Sequence, residues 1–155
     1  MKIIITGGSG FIGTNLINRL LADRGIKIAN IDIVKPRCLE HEKFWNKIDI
    51  LDKKAMLSFF KRFHADYVVH LAARTDLDGA SIEEYSTNTI GVENVIHCIN
   101  NAKYDIKKTI FASSMLVCEL GYIPNSEFDF KPSTIYGESK VIGEKIIRDN
   151  ISQSV

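Results

Sequence analysis

Lys2-Ile3-Ile4-Ile5-Thr6-Gly7-Gly8-Ser9-Gly10-Phe11-Ile12-Gly13 decides how this chain is read. Its first half is a continuous apolar run with no polar alternation, as in a strand covered on both faces of a parallel sheet. Gly8, Gly10 and Gly13 satisfy G-x-G-x-x-G, and Gly7, Gly10 and Gly13 satisfy G-x-x-G-x-x-G. In either reading glycine permits the tight turn, lets the backbone approach a pyrophosphate and packs the next helix against the strand. The N–H groups opening that helix, aided by its dipole, then face the phosphates. Glycines alone can mark no more than a turn. Here they follow a strand and open a helix, which is the setting of a dinucleotide loop.

Outward from this stretch, strands and helices alternate. Ile12, Leu16 and Leu20, with Ile17 and Leu21 beside them, form a helix stripe that ends near Gly25. Residues Lys27 to Ile33 read as a second strand and Phe44 to Ile50 as a weaker third. Met56, Phe59, Phe60 and Phe63 fall at i, i+3, i+4 and i+7, so a helix starts after Asp52. Tyr67 to Ala72 is the fourth strand, and Ser81 to about Asn101 a helix with Tyr85, Val92, Ile96 and Ile99 on one face. Thr109 to Ser113 is the fifth strand, Gly121 to Thr134 a loop, and Tyr136 to about Asn150 the last helix. Right-handed crossovers turn this order into an α/β fold: a doubly wound parallel sheet of the Rossmann type, with strand order 3-2-1-4-5. Ligands bind such sheets at the carboxyl ends of the strands.

Asp32 closes the second strand, about twenty residues past the glycines, where a carboxylate receives the ribose hydroxyls. It repels a 2′-phosphate, which favours NAD over NADP, while Lys35 and Arg37 nearby act against that preference. A turn or capping role for Asp32 stays open. Tyr136 and Lys140 are i and i+4 and share a helix face. A free phenol titrates at about pH 10 and is a poor base at neutrality. An ammonium and an oxidised nicotinamide beside it favour phenolate. Y-x-x-x-K alone also describes an exposed helix pair. It gains weight from Ser113-Ser114 at the end of the preceding strand, where a hydroxyl can bond the substrate oxygen that Tyr136 deprotonates. Ser114 could equally just end the strand.

The bulk properties suit one soluble domain: 155 residues, 25% charged, 45% apolar, net charge +1. That balance points away from nucleic acid and from anionic membranes. No apolar run approaches membrane-spanning length, and no basic-then-apolar leader precedes the first strand. Cys38, Cys98 and Cys118 form no CxxC and no metal spacing. Free, mostly buried thiols, no metal and a cytoplasmic location are expected.

With these residues together, the chain resembles the extended short-chain dehydrogenase/reductase family, in its NAD-dependent epimerase/dehydratase branch acting on nucleotide sugars. The matching stretches are Thr6 to Gly13, Asp32, Asp49-Ile50, His70-Leu71-Ala72-Ala73, Asn88-Thr89-Ile90-Gly91, Ser113-Ser114 and Tyr136 to Lys140. They come in the family's order and cover nearly the whole chain. The resemblance implies cofactor binding by Gly7, Gly10, Phe11, Ile12, Gly13 and Asp32. It implies that Asp49 accepts from the adenine amino group with the Ile50 backbone beside it. It implies that Leu71, Ala72 and Ala73 line the cofactor and that Asn88 supports the site. Ser114 and Tyr136 would act on a sugar hydroxyl, and Lys140 would bind the nicotinamide ribose. Plainer roles remain for some: Asp49 as a helix cap, Ala72-Ala73 as packing, His70 as a buried strand residue.

The resemblance has limits. Sugar 4,6-dehydratases of the family carry an acidic pair after the catalytic hydroxyl, whereas this chain has Met115 and Leu116. An epimerase-like enzyme is therefore expected, with a reductase or dehydrogenase of the family, or a non-catalytic dinucleotide module, as alternatives. Thr134-Ile135 also replaces the Ser-Pro that many members have before the tyrosine. Family members continue into a further strand and a smaller substrate domain, while this sequence closes at Ile151 to Val155. Residues 1–155 are accordingly read as the NAD-binding domain, without the C-terminal substrate domain, and with little turnover of its own. The expected partners are a nucleotide sugar in the intact enzyme and a second copy of the chain, as a homodimer.

Overall fold

The computed structural model describes residues 1–150, so the last five residues of the expected domain range, Ile151 to Val155, lie outside the described residues. β1 (Lys2–Thr6) sits at the centre of a five-stranded parallel sheet. β2 (Lys27–Asp32) and β4 (Tyr67–His70) flank it. β3 (Trp45–Lys47) and β5 (Lys108–Phe111) form the edges, giving the order β3-β2-β1-β4-β5. This is the 3-2-1-4-5 order expected of a Rossmann sheet.

The core explains why the pattern folds this way. Ile3 and Ile5 turn to one face of the sheet and pack with Ile17 of α1 (Phe11–Leu20) and with Ile28. Ile4 turns to the other, against Ala29, Ile31 and Val68 and the Met56, Phe59 and Phe60 side of α2 (Lys53–Phe63). Each buried isoleucine or phenylalanine contributes about 1.5–3 kcal/mol, so double coverage outweighs any local preference. α2 starts at Asp52, whose carboxylate accepts from Ala55 N–H at 3.0 Å. It ends at His64 in the left-handed region, φ 57°. α3 (Ile90–Asn101) continues the second layer with Val95 and Cys98, and α4 (Ile135–Asn150) packs beside it. No described helix is long and apolar enough to cross a membrane.

Four expectations need correction. The helix expected from Ser81 to Asn101 is two elements, a 3-10 segment over Glu83–Asn88 and then α3, with Thr89 between them. Side chains break it. The buried Tyr85 hydroxyl donates to Asp76 C=O at 2.9 Å and accepts from Gly79 N–H at 3.2 Å, and Tyr85 itself leaves helical geometry at φ −98°, ψ 28°. Tyr85 therefore does not share an α-helical face with Val92, Ile96 and Ile99. The third strand is short because the chain turns at Asp49, whose side chain accepts from Leu51 N–H at 2.9 Å and whose C=O accepts from Asp52 N–H at 3.0 Å. Ile12 is 61% exposed and leaves the core stripe of α1; it is the second residue of the helix, next to Phe11, which is 86% exposed. Of the three free thiols only Cys98 is buried, and burial pushes it up to about 12.

Candidate active site

The glycine loop is built by close approach. Gly7 has φ 73°, and a Cβ there would lie 2.5 Å from Ala72 N. A Cβ on Gly13 would lie 2.5 Å from Gly7 C=O, and one on Gly8 would run into the Asn30 side chain. Only glycine lets β1, the loop and the end of β4 touch here. Gly10 is open by comparison, with Gly7 C=O at 3.3 Å as the one near atom. The first bond of α1 runs from Thr14 N–H to Gly10 C=O at 2.9 Å. The amides of Phe11, Ile12 and Gly13 precede it and are not claimed by the helix. Phe11 is 86% exposed. The result is a cradle of N–H groups over a glycine floor, which fits a pyrophosphate.

Asp32 stands against this loop. One carboxylate oxygen accepts from Ser9 N–H at 3.0 Å and the other from Val34 N–H at 2.9 Å. Its turn role is thus real, and it also fixes a negative charge beside the glycines. Asn30 and Ser9 reinforce the junction: Asn30 Nδ2 donates to Ser9 Oγ at 3.1 Å, and Ser9 Oγ donates to Val34 C=O at 2.7 Å. Neither polar residue stood out in the sequence, although a buried asparagine inside an apolar strand was the available signal.

Asp49 and Ile50 lie farther along the same strand ends. Asp49 is exposed, and helix capping falls to Asp52 instead. Ile50 is buried against Gly91, where a Cβ would lie 2.5 Å from Ile50 Cδ1. Asn94 of α3 holds this corner by donating to Ile50 C=O at 3.0 Å and Leu51 C=O at 3.2 Å. Leu71, Ala72 and Ala73 are half-buried beyond β4. Leu71 N–H donates to Thr6 C=O at 3.0 Å. His70 is buried with Nδ1 2.6 Å from Thr6 Oγ1, and burial holds its imidazole down at about 3. It is a neutral strand residue.

Tyr136 and Lys140 are not an exposed helix pair. Tyr136 is 9% exposed, its ring 6.1 Å from that of Tyr85. Lys140 is half-buried, and its Nζ donates to Ala112 C=O at 3.1 Å. Burial holds its ammonium below the usual lysine range, and the Glu144 carboxylate acts in the opposite direction. Lys140 and Asn88 line one cavity of about 240 Å³ between α4 and the sheet. Ser114 takes up a local role as well, accepting from Leu116 N–H at 3.1 Å at the start of a 3-10 turn over Met115–Val117. That turn meets α4 at Gly137, where any Cβ would collide with Leu116 C=O. The close approach ties the Ser114 turn to the residue after Tyr136.

The description "NAD dependent epimerase/dehydratase family" belongs to the family model that matches residues 3–154. UDP-glucose 4-epimerase of Halalkalibacterium halodurans is 32% identical over 154 residues, covering 94% of this chain and 45% of that protein. Among solved structures, the UDP-Glc/GlcNAc 4-epimerase of Campylobacter jejuni superposes with TM-score 0.82 at 26% identity, over 96% of this chain and 48% of that one. The Thermus thermophilus UDP-glucose 4-epimerase in complex with NAD gives TM-score 0.77 at 25% identity, over 96% and 50%. The chain thus spans about half the length of these relatives.

Proposed function

Since the chain belongs to the NAD-dependent epimerase/dehydratase family, we propose that residues 1–155 are the NAD-binding domain of a nucleotide-sugar epimerase with Tyr136 as its base. NAD is the family's cofactor, and the glycine cradle has room for it only because no Cβ fills it. In this reading Gly7, Gly10, Gly13 and the amides of Phe11 and Ile12 hold the pyrophosphate, and Asp32 holds the adenosine ribose. Asp49 and Ile50 flank the adenine, Leu71, Ala72 and Ala73 line the middle of the cofactor, and Asn88 braces them. Tyr136 and Lys140 reach the nicotinamide ribose.

When bound, NAD would supply the hydride acceptor and donor for the sugar carbon, with return to either face of that carbon in an epimerase. Tyr136 would take the proton from the hydroxyl oxygen on that carbon as the hydride leaves, giving a keto sugar, and would return the proton to that oxygen when the hydride comes back. Ser114 orients the reacting oxygen. Lys140, as a cation, stabilises charge on the phenol. The observation that carries this reading is the convergence on one sheet end: Gly7 against Ala72, and Lys140 on Ala112 just beyond the neighbouring strand.

Titration calorimetry with NAD tests the binding half. Saturable binding that Lys140→Met weakens is expected, and no binding ends the reading. For the chemistry, a full-length relative-sized protein carrying these residues should reduce its bound NAD when given UDP-glucose or a related sugar nucleotide. Tyr136→Phe should keep the binding and lose the reduction. Reduction that survives Tyr136→Phe overturns Tyr136 as base. A homodimer through α3 and α4 is part of the same reading, supported by Ile90, 49% exposed on α3, and the half-buried Ile142, Ile146 and Ile147. Sedimentation showing only monomer at every concentration would remove it.

A further inference from the structure

Tyr136, Lys140 and Glu144 are spaced i, i+4 and i+8 and so share one side of α4. The Glu144 side chain is only 21% exposed, and a carboxylate so withdrawn from water needs partners. It has two. Glu144 accepts from Ser113 Oγ at 2.5 Å, and its other oxygen lies 3.4 Å from Arg148 Nη2. One turn earlier, Lys140 donates to Ala112 C=O. Two successive residues beyond β5 are therefore gripped by two successive turns of α4, and the next residue is Ser114.

Charge adds to the geometry. Lys140 and Glu144 line the same cavity. His70 faces it from β4 but is neutral at ordinary pH. Arg148 faces it from α4 as a second cation. Thr109, Phe111, Ala112 and Ser113, in β5 and just beyond it, bring no charge, nor do Asn88 and Val92. Among the described residues lining this cavity, Glu144 is the single anion. A half-buried ammonium with no anion near it gives up its proton readily.

We propose that Glu144 is a positioning residue for the Tyr136–Lys140 pair: its carboxylate pins the end of β5 through Ser113 and supplies the negative charge that keeps Lys140 an ammonium at the ribose site. This rests on Lys140 serving the cofactor. The two roles separate by substitution. Glu144→Gln keeps an acceptor for Ser113 and removes the charge, while Ser113→Ala removes the bond and keeps the charge.

The ζ-nitrogens of lysine-15N-labelled protein, titrated by NMR, read the outcome directly, with the Lys140 signal assigned by its loss in Lys140→Arg. Glu144→Gln should move the Lys140 titration down by about one pH unit, the size expected for losing a nearby opposite charge. Ser113→Ala should leave that titration in place, and Glu144→Asp should restore most of it. The affinity of the Gln variant for NAD should then fall at a lower pH than that of the unmutated chain. If Glu144→Gln does not fold, Glu144→Asp is read instead, with a smaller downward shift expected. A folded variant whose Lys140 titrates where it did before overturns the inference. Failure of the cofactor reading looks different: Lys140→Met would leave NAD affinity unchanged while the Glu144-dependent shift persists.

Discussion

The Asn88 side chain satisfies both backbone groups of Arg74: its Oδ1 accepts from Arg74 N–H at 2.9 Å and its Nδ2 donates to Arg74 C=O at 2.9 Å. The second Nδ2 hydrogen goes to Ser139 Oγ at 2.9 Å, and Ser139 in turn donates to Tyr136 C=O at 2.6 Å. One buried amide thus couples the loop after β4 to the helix of Tyr136 and Lys140. Arg74 is also held from outside, by Asp76 at 2.9 Å and Glu84 at 3.0 Å. These are partly exposed pairs that contribute little, so the buried amide is the larger restraint.

Asn88→Ala should therefore destabilise the chain by about 2–4 kcal/mol, since it strands several buried partners at once. Asn88→Asp should cost a similar amount, because it keeps the acceptor for Arg74 N–H but loses both donated bonds. Urea unfolding checks both. A loss below about 1 kcal/mol for either would contradict the coupling.

The glycines of the loop should divide by mechanism. Gly13→Ala forces a Cβ toward Gly7 C=O and should lower stability by about 1–3 kcal/mol, as overpacking does. Gly10→Ala meets one tight neighbour, Gly7 C=O at 3.3 Å, against 2.5 Å for Gly13; it should cost less stability than Gly13→Ala while binding NAD much more weakly, because the methyl occupies the approach to the phosphates. Thermal melts and calorimetry on the two variants check this. Equal effects on both properties would show that Gly10 is not at the phosphates.

Asp32 accepts from two backbone amides and is the residue proposed to hold the adenosine ribose. NAD should bind more tightly than NADP. Asp32→Ala should weaken NAD about ten- to a hundredfold, the scale of a charged hydrogen bond, and narrow the gap to NADP. Equal or tighter NADP binding by the unmutated chain would show that Lys35 and Arg37 dominate. Lys35 is drawn instead to Glu42 at 2.9 Å.

His70 predicts how stability follows pH. Its folded imidazole is held at about 3 by burial, against an ordinary value of 6.5. Between those values the unfolded chain binds the proton that the folded chain refuses. Stability is therefore whole above pH 6.5 and declines as pH falls toward 3, by at most about 1.4 kcal/mol per pH unit. Melts between about pH 7 and 5, above the carboxylate range, should show this slope, and His70→Gln should flatten it. A slope unchanged in His70→Gln would place its origin elsewhere.

The sheet order was legible because it follows from local facts: unbroken apolar strands, a 3.6-residue stripe on the helices and the handedness of crossovers. The glycine spacing, Asp32 and the Tyr136–Lys140 spacing were legible for a similar reason. Each is set by short-range geometry that a few neighbouring residues must satisfy. The break at Thr89 was not, because Tyr85 and Asn88 reach partners at Asp76, Gly79 and Arg74 that only the folded loop presents.

Repeat period and spacing act along the chain, and they suffice for a doubly wound sheet, a glycine loop and a phenol one turn from an ammonium. The surroundings of these groups come from the folded packing. Glu144 lies 31 residues from Ser113, and Asn88 lies 51 from Ser139. Such pairs carry no period and no motif. Their burial and charge arise when α4 closes on the end of β5, and desolvation then gives a surface-type glutamate and a strand-end serine their strength.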